Sequence, residues 1–325
     1  MRDTEPRIPT TVEPIPVEME PSEAAEGVEY EGRMEALTTR QIAWRRFKRH
    51  RPAMVSMFVL GILALVTILA PFLPLQNPQK LDLIGSLQGP GAHHWFGTDN
   101  LGRDEFARVI WGGRISLLVG VTVALFSGII GTAIGSIAGF YGKWVDQLLM
   151  RVTDLFLAIP FLVVAILGTT IIARSFPHLN TIIGVVAILT LFFWMPNARI
   201  VRGVVLSLKE KEFVEAARAS GSSNRRMIMS HVLPNCLGPI TVVVTLAVAA
   251  AILAESSLSF LGFGVQPPTP TWGNMLADAK NFVLVHPPMV WFPGLMILIT
   301  VLAVNFIGDG LRDAFDPHQQ LGTRM

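Results

Sequence analysis

Apolar runs alternate with polar segments along most of the chain. Six of these runs reach or approach the about 20 residues that a helix needs to cross a bilayer. They cover about residues 53–73, 115–140, 155–173, 181–195, 236–256 and 289–307. Ten-residue segments of alternating polarity, the mark of a membrane barrel, are not evident. The pattern predicts an all-α membrane protein with six transmembrane helices. Pro71 and Pro74 mark the end of the first run, and Pro160 falls inside the third. In the second, Gly131, Gly135 and Gly139 recur at every fourth position. That spacing places all three near one helix face, where small residues let two backbones approach closely. Asn305, in the sixth, is expected to hydrogen-bond another helix.

The polar segments divide the rest. Residues 1–43 are rich in Pro, Glu and Thr, and 1–40 hold ten acidic and four basic residues. Such a stretch buries too little to order itself and reads as a disordered acidic tail. Residues 44–114 then hold an interfacial segment, the first span and an outer loop. Residues 115–308 form a five-helix core, and 309–325 a short tail. Residues 141–154 read as a loop, 174–180 as a tight turn, and 257–288 as an outer segment with a short helix around 272–280.

The most charged run of the C-terminal part is 212–234, EFVEAARASGSSNRRMIMSHVLP. Its start reads as helix, with Phe213, Ala216 and Ala217 on one face. Gly221, Ser222 and Ser223 interrupt it. A second short helix has Ile228 and Val232 one turn apart, and Pro234 closes it. A helix–break–helix of this size has little core of its own and must dock on something.

Composition agrees with a membrane protein. Hydrophobic residues make up 51% of the chain and charged residues only 15%, well below the quarter usual in soluble domains. Net charge is +2, so no global field argues for nucleic acid. Cys236 is the single cysteine, which excludes an internal disulfide and a thiolate cluster. Residues 1–40 hold no apolar signal core, so the first span is expected to serve as the membrane signal. WRRFKRHR, Trp44 to Arg51, carries five Lys/Arg directly before that span. It suits an interfacial helix on anionic headgroups and also retention in the cytoplasm. Seven Lys/Arg in 196–235 against six in all the outer segments agree with that orientation. Both termini, 141–154 and the charged run are therefore expected in the cytoplasm.

Several chemistries are missing. No G-x-x-x-x-G-K-[ST] cradle for phosphates occurs, nor H-E-x-x-H, nor a Cys/His spacing suited to zinc. His93 and His94 are adjacent, which is a poor chelating geometry, and no metal is expected. Ionisable residues within the spans are few. Glu255 with Ser256 has two readings: a translocation path or outer gate, or a local cap or pair at the helix end, which is favoured. No paired carboxylates or nucleophile–base pair suggest an enzyme. A secondary transporter or channel is the alternative class. It lacks support from inverted repeats or from mid-membrane charges.

At 215–234 the residues become specific. Glu215, Ala216, Ala217, Gly221, Ile228, Leu233 and Pro234 resemble the EAA motif of ABC-transporter permease subunits. WRRFKRHR, the outer FGTDNLGRDEFARVIWGGRISL, ESSLSFLGFG at 255–264, and the ending GDGLRD with Asp316-Pro317 resemble the dipeptide, oligopeptide and nickel permeases of the DppC and OppC type. The resemblance spans about residues 44–317. It implies a type I importer permease fold with a cytoplasmic coupling helix, in a bacterial inner membrane. It also implies a second, homologous permease, two ATP-binding subunits and an external solute-binding protein as partners. ATP and Mg would sit on the partners, with no cofactor on this chain, and the cargo would be peptides or nickel chelates. Asp99, Arg103 and Asp104 would form a structured outer turn, Asp99 capping and Arg103 bridging carboxylates. That structural role is favoured over direct peptide contact.

Overall fold

The computed structural model describes residues 39–316. The chain's contacts divide at Ile42, and the architecture below belongs to residues 43–316. Most of the acidic tail and the last nine residues lie outside the described part. Among the described residues there are helices, turns and one isolated bridge, Thr98 to Asp104, with no strand.

α1, Thr39–Arg49, already begins within the stretch expected to be disordered. A one-residue break at His50 leads into α2, Arg51–Ile68. The His50 Nδ1 accepts from the Ala53 backbone N–H at 3.1 Å, and Pro52 occupies the first turn, where no donor is lost. α3, Glu105–Tyr141, has 37 residues, about 55 Å of helix at 1.5 Å per residue. It starts ten residues before the apolar run does, so 105–114 is helix and not loop. α4, Lys143–Ala158, replaces the loop expected at 141–154. It meets α5, Phe161–Ser175, at 86°. Pro160 is the cause: the residue before a proline avoids the helical region, and Ile159 is extended with ψ 131°.

α6, Thr181–Leu208, runs through Pro196, where the sequence pattern ends a span. Met195 and Ala198 are fully buried among Phe192 and Trp194, and that packing holds the helix together on both sides of the proline. α7 is Glu212–Ala219, and α8 is Asn224–Phe260. α9, Trp272–Ala279, lies in the following segment, and α10 is Pro288–Phe315. α10 therefore takes up 309–315, the first part of the stretch read as a tail. Among the described residues five helices are long and apolar enough to cross a membrane, and the number is six if the bent pair α4–α5 is taken as one span.

These helices run between two ends. The loop end carries residues 73–104 and 257–287, and the knob end carries α7. α3 is the hub. Its glycines meet α6 as the spacing predicts. A Cβ on Gly131 would lie 2.6 Å from Asn197 Cβ, one on Gly135 2.4 Å from the Ala198 carbonyl oxygen, and one on Gly139 2.9 Å from the Arg202 carbonyl oxygen. Nearer its start, Val119 and Val123 share a core with Val185, Leu189, Ala251 and Leu258 of α6 and α8. Large apolar side chains elsewhere on α2, α3, α5 and α10 point outward, as expected of helices in lipid.

Candidate functional site

The knob is built from the end of α6 to the start of α8. After Leu208 the chain turns, with the Lys211 N–H donating to the Leu208 carbonyl at 3.1 Å. α7 then runs eight residues and stops at Gly221, whose φ is +78°. Two backbone bonds close the end: Gly221 N to Arg218 O at 3.0 Å and Ser222 N to Ala217 O at 3.1 Å. This is the Schellman arrangement, which needs a left-handed residue where glycine sits at no steric cost. Nothing lies within 4 Å of a Cβ built there, so the requirement for glycine is conformational and not a matter of space. Ser223 caps the next turn, accepting from Arg226 N at 3.4 Å.

The knob has a small core after all. Val214 is fully buried, with Met227, Val232 and Cys236 of α8 and Val201 and Val205 of α6, and Ala217 packs against them. The expected face of Phe213, Ala216 and Ala217 is therefore split. Val214 and Ala217 hold α7 to the bundle, while Phe213, Glu215 and Ala216 are exposed. Ile228 and Leu233 are half-buried.

Pro234 does not close a helix. It lies two residues past the end of a π-helical turn, Met227–Val232, and α8 continues for 26 residues beyond it to Phe260. A proline ring clashes with the carbonyl four residues back, and a wider turn gives it room. Leu233 N–H accordingly reaches Ile228 O, five residues back, and Asn235 Nδ2 donates to His231 O at 2.6 Å. Ion pairs then tie α4 to the end of α6, Arg202 to Asp146 and Arg199 to Asp154.

The loop end is organised around buried charge. Asp99 is 1% exposed. Its Oδ1 accepts from the backbone of Leu101 and Arg103 at 2.8 and 2.9 Å. Its Oδ2 accepts from Arg103 Nε and Arg108 Nη1, both at 2.5 Å. The two guanidiniums then share Asp278 of α9, at 3.0 and 3.1 Å. Arg103 thus bridges two carboxylates, as read from sequence. Arg108, the second bridge, was missed because a helical residue 170 positions from its partner leaves no local signal. Burial pushes the Asp278 carboxyl above its ordinary value, against the pull of the Arg103 guanidinium. The helix cap is not Asp99 but Asp104, which accepts from Ala107 N at 2.7 Å and pairs with His94 Nδ1 at 2.8 Å. Replacing Asp104 with alanine is expected to cost about 1–2 kcal/mol, the loss of a good cap. It would be read as a lowered unfolding temperature of the solubilised protein; an unchanged temperature would argue against the cap.

Glu255 is fully buried, and Ser256 nearly so. Ser259 Oγ donates to Glu255 at 2.7 Å and Ser116 Oγ of α3 at 3.3 Å, while Ser116 Oγ also accepts from Trp272 N at 3.3 Å. Trp272 Nε1 in turn donates to Val109 O at 3.0 Å. Glu255 therefore joins α3, α8 and the start of α9, and this geometry supports the local role over an open path. Among the described residues no three His, Cys, Asp or Glu converge as a metal site.

Residues 131–320 match the family described as binding-protein-dependent transport system inner membrane component. The chain belongs to that family. Residues 38–90 also match the N-terminal transmembrane domain of oligopeptide transport permease C. Among curated relatives, the dipeptide transport system permease protein DppC of Alkalihalophilus pseudofirmus is 43% identical over 275 residues, 85% of this chain and 88% of the relative. The oligopeptide transport system permease protein OppC of Bacillus subtilis is 37% identical over 304 residues, covering 93% and 98%. The glutathione transport system permease protein GsiD of Escherichia coli is 40% identical over 275 residues, covering 84% and 89%. The chain is thus a multi-pass inner-membrane permease of the ABC-importer class, with the type I fold. The secondary-transporter alternative is not favoured.

Proposed function

We propose that this permease pairs with a second, homologous one to form a pathway for di- or oligopeptides across the bacterial inner membrane. The names of the relatives support that cargo class; nickel chelates are a separate, second candidate cargo. Two ATP-binding subunits drive the cycle and carry the ATP and Mg, and an external solute-binding protein delivers cargo at the loop end. The chain itself carries out no catalysis. Both termini and the knob face the cytoplasm; α1, α7 and the end of α10 lie at the same end of the bundle, which agrees with the basic WRRFKRHR cluster.

The observation that carries the coupling role is the knob. Glu215 and Ala216 are exposed on a short helix, with Gly221 exposed just past its end, and the helix's opposite side is anchored by Val214 to α6 and α8. A push on α7 reaches the spans as rigid-body motion. Ala216 matters here by its smallness, which lets a groove on the ATPase close over it. A tryptophan there, Ala216→Trp, is expected to leave permease accumulation unchanged, because the side chain points away from the knob's core. ATP-dependent uptake of a labelled dipeptide into proteoliposomes of the assembled transporter should fall at least roughly tenfold, the 1.4 kcal/mol equivalent of a poorly seated contact. Full uptake with Ala216→Trp would remove coupling from this helix. No uptake of any di- or oligopeptide by the unaltered transporter would remove the cargo assignment instead.

A further inference from the structure

The outward face of α1 belongs neither to the knob nor to the pathway. One side of this helix is fixed. Ala43 and Phe47 are buried with Ala53 and Ala314, and Ile307 and Leu311 pack against them. A Cβ on Gly310 would lie 2.5 Å from Ala53 Cβ and 3.2 Å from the Phe47 ring, so α10 comes in at backbone contact. Arg46 donates to the Asp316 carbonyl oxygen at 2.9 Å. The helix is held in one orientation by its neighbours.

The other side is cationic. Arg45, Lys48 and Arg49 are exposed, as is Arg51 at the first position of α2. None of the four is in a salt bridge among the described residues, whereas Arg103, Arg108, Arg199 and Arg202 all are. Trp44, half exposed, stacks on Phe47 at 5.9 Å, and the Lys48 ammonium sits 5.1 Å from its ring centroid. Four cations within two turns, with no ion pair among the described residues, repel one another unless a counter-charge is present. The fold brings one large counter-charge beside them, because α2 enters the membrane directly after Arg51. Tryptophan beside Lys and Arg at that depth is the composition of a headgroup contact.

We propose that Trp44, Arg45, Lys48, Arg49 and Arg51 form a binding surface for the phosphates of anionic glycerophospholipids. Bound lipid holds α1 against the joint of α2 and α10. The inference does not depend on the cargo or on the coupling role of α7.

The test uses the assembled transporter in nanodiscs of equal parts phosphatidylcholine and phosphatidylglycerol, with lipid retained on extraction counted by native mass spectrometry. The triple variant Arg45→Gln, Lys48→Gln, Arg49→Gln changes only exposed side chains. Its affinity for phosphatidylglycerol is expected to fall roughly five-fold per cation removed. A control with the same charge change at the loop end, Lys80→Gln, Arg174→Gln, Lys280→Gln, should retain phosphatidylglycerol as the unaltered protein does. Equal retention by the two triple variants, or no preference for phosphatidylglycerol in the unaltered protein, overturns the proposal. Preference that emerges only after residues 1–38 are removed also overturns it, because the acidic leader would then be the occupant.

Discussion

Gly135→Leu is expected to prevent assembly of the bundle. The α3–α6 seam is the most extensive helix contact in the protein, and Gly135 is its tightest point. The first side-chain atom would stand 2.4 Å from the Ala198 carbonyl oxygen and 3.0 Å from the Arg202 backbone nitrogen. Both are main-chain atoms of α6, so no side chain can rotate out of the way. The helices must separate, and the Gly131 and Gly139 contacts one turn to either side would be lost with them. Overpacking ordinarily costs about 1–3 kcal/mol, and a seam that cannot relax lies at or above the top of that range. The glycine gives up about 1 kcal/mol of helix propensity relative to alanine, a cost that only close packing repays. A matched control exists on the same pair of helices: Gly203 has nothing within 4 Å of a built Cβ. Membrane accumulation of Gly203→Leu should match the unaltered chain, while Gly135→Leu should be degraded. Equal accumulation of the two would refute the seam.

The second large effect is expected at the loop end. Arg108→Met removes one of two guanidiniums from a carboxylate that is 1% exposed. Asp99 and Asp278 then share a single counter-charge, with Glu105 buried nearby. Breaking a buried pair from one side costs about 3–5 kcal/mol, because the charge left behind is still desolvated. The double variant Asp99→Asn, Arg108→Met should recover part of that loss, since it removes the stranded charge as well. Thermal unfolding of the solubilised permease distinguishes the two cases. A double variant no more stable than Arg108→Met would mean that the pair does not act as a unit.

How much of this was legible in the sequence follows from how local each signal is. The glycine repeat at 131, 135 and 139 was legible because its period is a property of one helix. So was the Gly221 break, since only a left-handed position ends α7 between Ala217 and Ser222. The helical start of α3 was not. Glu105, Arg108 and Arg114 make 105–114 look like loop, and the Asp278 that satisfies Arg108 is remote in sequence. Prolines misled in both directions. Pro160 bends its span sharply because little is packed around Ile159, whereas Pro196 is carried through by buried Met195 and Ala198, and Pro234 by a widened turn. The knob's own anchor, Val214, was not legible because an eight-residue helix is too short for its apolar positions to fix which face is buried.

α7 is proposed as the contact through which an ATP-binding subunit moves this permease. The most direct test of that role is a thiol probe at Ala216. Cys236 is buried, so Ala216→Cys supplies the only accessible thiol among the described residues. In inverted membrane vesicles the new thiol should react with a water-soluble maleimide when the permease pair is present alone. It should be protected when the ATP-binding subunits are assembled, and a short bifunctional reagent should then join it to one of them. Equal labelling with and without those subunits, in a transporter that still takes up peptide, would contradict the account.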